Sequence, residues 1–274
     1  MGINNAHAKL LIKINIRISL ITNFDYIMLI MFPQKTDYPD SFKILNHPSC
    51  SAAYHQLVEA SASAYFETKG PTRWLFMRRF QVAADYLRSL AKTESILDAG
   101  TGIGFFLPTL AKFAKKITAV DYAQYTLAYA QAMCRQRHLN KIKFIQADLL
   151  SLNLPKNSFD VINVLSVLEH IPPKQLPRLM TQFKSWLKPN GYLIAGWPNE
   201  GGQLFKLAQT WEKKLFRPKM LQSLKDDRRQ YKPLGHVAQS RQIYQAVTQK
   251  FSVAKLKTLP FNWLKFYTLG LFKR

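Results

Sequence analysis

Cysteine is nearly absent from this chain: Cys50 and Cys134 are the only two in 274 residues. They show no C-x-x-C spacing, so neither a disulfide framework nor a zinc knuckle is expected, and a reduced, cytoplasmic setting follows. Histidines are few and scattered (His7, His47, His55, His138, His170 and His236). No pair of them has metal-ligand spacing, so no metal is expected. Long apolar runs are missing as well. Lys13, Arg17 and Asp25 break up the apolar residues of the first thirty, which excludes a membrane-spanning helix there. The basic, apolar, small-residue order of a signal peptide is also lacking. Internal repeats and low-complexity tracts are absent, which sets aside solenoids and fibrous arrays. The scarcest class is acidic: 16 Asp and Glu stand against 39 Lys and Arg, a net charge of +23.

Against that background, residues 95–104 stand out: Ser-Ile-Leu-Asp-Ala-Gly-Thr-Gly-Ile-Gly. Ser95–Ala99 reads as a buried strand ending in a carboxylate, Asp98. Gly100, Gly102 and Gly104 follow at alternate positions, and an apolar helical pattern begins near Phe105. A strand running through a glycine turn into a helix brings bare backbone N–H groups close to a ligand. The dinucleotide form of this turn is G-x-G-x-x-G, and Phe105 occupies the position of its third glycine. The spacing found is D-x-G-x-G-x-G.

The pattern then repeats. Lys116–Asp121 is a second strand ending in an acid, roughly 20 residues past the first glycine, a spacing that suits a carboxylate on a ribose diol. Ile142–Asp148 is a third strand with the same ending. Phe159–Val164 is a buried apolar strand, and Tyr192–Trp197 follows a Lys-Pro-Asn-Gly turn at 188–191. Helical patterns at Phe105–Phe113, Tyr125–Arg137 and Lys174–Leu187 separate the strands. This alternation predicts an α/β fold with a doubly wound, mostly parallel sheet, whose ligands bind at the carboxyl ends of the strands. Asp98, Asp121 and Asp148 then line one crevice.

Over about residues 90–200 the chain resembles the class I S-adenosylmethionine (SAM) dependent methyltransferases, in their small-molecule, type 11-like branch. The matching stretches are Ile-Leu-Asp-Ala-Gly-Thr-Gly-Ile-Gly, Val-Asp-Tyr-Ala, Gln-Ala-Asp-Leu, Ser-Phe-Asp-Val-Ile-Asn-Val, Leu-Glu-His-Ile and Leu-Lys-Pro-Asn-Gly-Tyr-Leu. The resemblance implies SAM as cofactor. It implies that Asp98 and the glycine loop hold the amino and carboxylate ends of the methionine, Asp121 the ribose hydroxyls and Asp148 the adenine amino group. The full cofactor-binding set it implies is Asp98, Ala99, Gly100, Thr101, Gly102, Gly104, Asp121, Tyr122, Asp148, Leu149 and Val164. The competing reading of the aspartates is that they only cap the following helices. The family also implies a seven-stranded sheet. Phe251–Leu259 and Phe266–Phe272, joined by Pro260–Lys265, match its antiparallel C-terminal edge hairpin; an amphipathic membrane segment is the competitor.

Three regions flank this core. Residues 1–45 form a poorly defined extension, residues 46–94 a helical cap, and residues 95–274 the methyltransferase domain with an insertion at about 201–237. In the extension, Ile12, Ile14, Ile16, Ile18 and Leu20 alternate with polar residues, a period-2 pattern. It reads either as an over-long or weakly ordered start, with Met28 and Met31 as alternative initiators, or as a peripheral membrane anchor. In the cap, Tyr65, Trp74 and Arg78 are candidate pocket residues, unless its aromatics merely pack helices onto the sheet. Residues 201–274 carry more than half of the net charge. Within them Gln203–Leu215 is an amphipathic helix candidate with an apolar stripe at Leu204, Leu207, Ala208 and Trp211, and Lys213, Lys214, Lys225, Arg228, Arg229 and Lys232 lie on or after it. Such a segment suits an anionic membrane surface, a phosphorylated lipid or a nucleic acid, or is an ordinary solvated face.

SAM is already an activated sulfonium, so such an enzyme chiefly aligns the nucleophile and excludes water. The Asn/Asp-Pro-Pro-Tyr/Phe element of amino-group methylases is missing after the fourth strand, which reads Asn163-Val-Leu-Ser-Val-Leu-Glu-His170. No cysteine follows that strand, which argues against covalent pyrimidine chemistry. His170 and His236 are the candidate bases for a hydroxyl acceptor, with structural histidines as the bland alternative. Glu169 orients His170 or caps the next turn. The expected function is methyl transfer from SAM to a small-molecule acceptor of lipid- or quinone-like character, in the cytoplasm or peripheral to a membrane. The alternatives are an RNA methyltransferase, favoured by charge, and a SAM-binding protein without activity.

Overall fold

Strand alternating with helix sets the architecture. The computed structural model describes residues 31–38, 65–66, 70–90, 93–199, 236–261 and 264–274. After helix α1 (Gly70–Arg88) come β1 (Thr93–Ala99), α2 (Leu107–Phe113), β2 (Ala114–Asp121), α3 (Gln124–Gln136), β3 (Ile142–Gln146) and β4 (Phe159–Leu165). Then follow α4 (Leu176–Trp186), β5 (Leu187–Pro198), α5 (Ser240–Thr248), β6 (Ser252–Phe261) and β7 (Leu264–Lys273). Among the described residues, seven strands form one sheet in the order β3-β2-β1-β4-β5-β7-β6. β1 to β5 are parallel, while β7 runs antiparallel to both β5 and β6. The expected C-terminal hairpin is therefore the sheet's edge. The Lys-Pro-Asn-Gly turn lies inside β5 as an irregularity, with Asn190 in the left-handed region at φ 63°.

Alternate residues of the central strands feed two cores. In β1 Ile96 packs with one layer and Leu97 with the other; in β5 Ile194 and its neighbours Leu193 and Ala195 divide the same way. α1, α2 and α3 cover one face, α4 and α5 the other. α4 shows why a helix forms here: Pro177 pre-sets its first turn, and Leu176, Leu179, Met180, Phe183 and Trp186 make one buried stripe at helical spacing.

The reversal of strand order between β1 and β4 opens a crevice at their carboxyl ends, the place where such sheets bind ligands. Residues 31–38, within the expected N-terminal extension, pack behind its wall. Phe32 stacks on Phe105 at 5.6 Å, and the Tyr38 hydroxyl donates to the Ile103 carbonyl at 3.1 Å. Arg137 pairs with Asp37 at 2.8 Å, fastening this segment to the end of α3. No helix among the described residues is long and apolar enough to cross a membrane.

Candidate active site

The glycine loop turns at the end of β1 because Gly100, Gly102 and Gly104 all take positive φ, at 79°, 54° and 78°. A Cβ on Gly100 would sit 2.3 Å from Val167 Cγ2, and one on Gly104 2.8 Å from Ala130 Cβ. Gly102 has nothing within 4 Å: it faces open space. The loop thus packs through two glycines and offers the third to a ligand. Gly100→Ala is expected to destabilise the fold by about 2–5 kcal/mol, combining left-handed backbone strain with overpacking. Gly102→Ala should keep most of the stability and lose SAM affinity instead. Urea unfolding and calorimetry on the two variants check this; equal stability losses would remove the distinction.

Two buried carboxylates stand behind the loop. Asp98, at 4% exposure, accepts hydrogen bonds from Thr101 Oγ1 and Asn163 Nδ2, both at 2.7 Å. Burial raises its pKa to about 6, against the pull of those donors and with some help from Asp121. Asp121 accepts from the backbone N–H of Gly102 at 2.8 Å and of Ala123 at 3.0 Å. Burial also raises its pKa, opposed by these amides and by Thr126. Each carboxylate keeps free lone-pair capacity for a ligand. Asp148 caps its own turn, its Oδ1 accepting from Leu150 N–H at 2.9 Å, and it lines the same cavity.

That cavity, of about 790 Å³, is lined by Asp98, Gly100, Thr101, Gly102, Asp121, Tyr122, Asp148 and Leu149. Ala99, Gly104 and Val164 are not among its walls. Val164 is fully buried in the core under α4, because strand alternation turns it away and brings Asn163 and Leu165 to the cavity instead. Asn163 is a site residue that sequence reasoning missed. Its signal was a polar residue inside an apolar strand. Its Oδ1 is buried with no hydrogen-bond partner.

The cap contributes Tyr65, as expected, but not Trp74 or Arg78. Trp74 is 47% exposed and Arg78 hydrogen-bonds Gln81. Arg79 takes their place on the cavity wall, 8% exposed. Its guanidinium donates to Ser166 Oγ at 2.9 Å and the Tyr65 hydroxyl at 3.0 Å, and lies 4.8 Å from the ring centre of Phe80 and 5.4 Å from that of Tyr267. No ion pair among the described residues includes it. Burial works against its charge, but Tyr65, Tyr267 and Glu169 outweigh that, so it stays a cation. Its Nε is buried without a partner. A cation with a spare donor and a carboxylate with spare acceptor capacity, on one wall, suit a zwitterionic ligand end.

At the mouth, the structure joins what the chain keeps far apart. His170 follows β4 in a single turn, Leu168–His170, and lines the cavity. His236 lies just before α5, and its ring centre is 4.9 Å from that of His170. Glu169, 2% exposed, precedes His170, and its carbonyl accepts from the N–H of Val237, next to His236. The expectation that no histidines cluster is therefore corrected: distance in sequence hid a contact made through the fold. The basic insertion's Lys213, Lys214, Lys225, Arg228, Arg229 and Lys232, the helix expected at Gln203–Leu215, and the alternating segment Ile12–Leu20 lie outside the described residues.

A family model described as a methyltransferase domain matches residues 96–191, the span from β1 through the start of β5 that carries the glycine loop and all three aspartates. Residues 96–191 thus carry a methyltransferase domain. The chain is similar to a probable S-adenosylmethionine-dependent methyltransferase of Mycobacterium tuberculosis, 28% identical over 56% of this chain and 53% of that protein. Ubiquinone biosynthesis O-methyltransferase of Coxiella burnetii is 31% identical over 38% of this chain and 43% of that one. The chain thus spans about half the length of the curated relatives it matches. In fold it is similar to the N-methyltransferase NodS from Bradyrhizobium japonicum in complex with S-adenosylhomocysteine, at TM-score 0.54 and 19% identity, covering 75% of this chain and 89% of that one.

Proposed function

We propose that this protein transfers the methyl group of SAM to a hydroxyl of a small, largely apolar acceptor. The observation that carries the reading is one cavity lined by Asp98, Asn163, Arg79 and His170, with the His236 ring against that of His170. The residues fit the cofactor: open space at Gly102, an unpartnered acceptor on Asn163 and an unpartnered donor on Arg79 all meet it. In this reading Asp98 and Asn163 take the methionine ammonium, Arg79 its carboxylate, Asp121 the ribose diol and Asp148 the adenine amino group. When bound, SAM supplies an activated methyl, so the protein's task is alignment and exclusion of water. Leu165, Ile171 and Val237 offer the acceptor an apolar wall, and in this reading His170, on the same cavity, takes the hydroxyl's proton with His236 beside it. A volume of about 790 Å³ lies high in the range of small-molecule sites, with room for a cofactor and a second molecule. The likeness to the Coxiella ubiquinone biosynthesis O-methyltransferase agrees with an oxygen acceptor of quinone-like character.

The cofactor assignment has a pH signature. Burial holds the empty site's Asp98 carboxyl neutral below about pH 6, whereas an ammonium needs the charged form. Affinity for SAM is therefore full above that pH and lost as pH falls through it, by about tenfold between pH 7 and pH 5. Calorimetry at both values tests this, with NAD as a control that should not bind. A flat profile would remove Asp98 from the ammonium. The same burial costs the fold about 3 kcal/mol at neutral pH until a cation arrives.

The basic segment supports peripheral contact with an anionic membrane, from which an apolar acceptor would be drawn. Charge reversal at Lys213, Lys214, Arg228 and Arg229 should weaken association with anionic liposomes by up to about 1 kcal/mol per charge while SAM binding holds. Unchanged liposome binding with loss of steeply salt-dependent RNA binding would install an RNA acceptor instead. Tight SAM binding without turnover on any acceptor would leave a SAM-binding protein without activity.

A further inference from the structure

The three side chains gathered at the cavity mouth have a chemistry of their own. Glu169, His170 and His236 each offer one ligand atom, and these atoms all lie within 4.8 Å of one another. We propose that they form a binding site for a divalent transition metal ion of the zinc class.

Donor type argues first. Two imidazoles and one carboxylate suit zinc, cobalt or iron, whereas magnesium and calcium prefer oxygen cages. Bonds of about 2.0–2.1 Å put tetrahedral ligand atoms roughly 3.4 Å apart, so small side-chain rotations close the observed spread. Construction argues second. The N–H groups of Val237 and Ala238 donate to the Glu169 carbonyl at 2.8 and 3.1 Å. These bonds hold the His236 backbone against the Leu168–His170 turn, so the backbone itself brings the three residues together. Electrostatics argues third. Glu169 is 2% exposed, and a bound dication would offset the cost of holding a carboxylate in that setting. The nearby fixed cation, Arg79, is tied to Ser166 and Tyr65.

Three protein ligands leave coordination positions open, which is the pattern of a catalytic rather than a structural site. His170 and Val237 both line the cavity, so those positions face the acceptor. A metal there lowers the pKa of an oxygen that enters its coordination shell and makes neither imidazole carry the proton. This consequence rests on the methyl-transfer reading: it narrows the acceptor to a molecule with a hydroxyl able to bind a metal, a chelating pair of oxygens above all. The metal site itself does not depend on that reading.

Untagged full-length protein, stripped with chelator and dialysed, provides the test when titrated with Co²⁺ alone. One equivalent should bring up the visible spectrum of nitrogen and oxygen coordination, and Zn²⁺ should erase it. The spectrum should vanish in His236→Ala, whose exposed side chain makes it a safe substitution for folding, and in His170→Ala. No spectrum in the native protein, survival of the spectrum in both variants, or a thiolate charge-transfer band would overturn the proposal. SAM calorimetry on the same samples separates the two readings. Cobalt binding without SAM binding leaves the metal site and removes the methyltransferase reading, and the converse result removes the metal alone.

Discussion

Replacing His170 by alanine is expected to slow methyl transfer by about 10²–10⁴-fold while SAM affinity stays at its native value. The imidazole lines the cavity beside His236 but is no part of the wall formed by Asp98, Asn163 and Arg79. Its loss removes acceptor activation, whether the ring takes the proton itself or holds a metal that makes the oxygen more acidic. Formation of S-adenosylhomocysteine, with an acceptor identified by metabolite profiling of a strain lacking the protein, measures the rate; calorimetry measures the affinity. His236→Ala should follow the same course, because one cluster contains both rings. Near-native rates in both variants would mean that alignment alone carries the reaction.

Arg79→Met is expected to have the opposite profile. SAM affinity should fall by about 2–5 kcal/mol, the usual cost of deleting one partner of a buried charge pair. The unfolding midpoint should fall only modestly, since Met keeps the apolar packing and gives up the hydrogen bonds to Ser166 and Tyr65. Lysine should not rescue binding. A single ammonium cannot reproduce the fork that reaches Ser166 and Tyr65 at once while leaving Nε for a ligand. Thermal unfolding and calorimetry separate the two effects. Unchanged SAM affinity in Arg79→Met would assign the guanidinium to an anionic group on the acceptor. A large loss of stability would make it a structural strut between α1 and the end of β4.

Much of the site could be read in advance because its parts are local. A strand that ends in an acid and a glycine turn needs only its own residues to form, so Asp98, Asp121 and Asp148 were identifiable from period and punctuation, and all three line the cavity. The cap was harder to phase. Trp74, Phe76, Arg78, Arg79 and Phe80 give α1 aromatic and basic residues on every side, and one position on a helix turns a side chain by about 100°. Arg78 was therefore the wrong neighbour, and Arg79 points inward because Phe80 and Met77 bury that side. Val164 failed for the equivalent reason in a strand, where one step reverses the face.

Local chemistry, carried in residues close along the chain, determined the alternation of strands and helices, the glycine loop and the acids behind it: hydrophobic period and positive-φ turns depend on near neighbours alone. Tertiary structure decided the rest. Asn163 meets Asp98 only because β1 and β4 pair in register. Tyr267, on the antiparallel strand β7, meets Ser166 and the Arg79 guanidinium only because the C-terminal hairpin folds back onto β5. His236 reaches His170 because Val237 and Ala238 donate backbone hydrogen bonds to the Glu169 carbonyl, although residues 171–235 separate the two in sequence. Contacts of that kind are set by how the sheet closes, and no spacing along the chain records them.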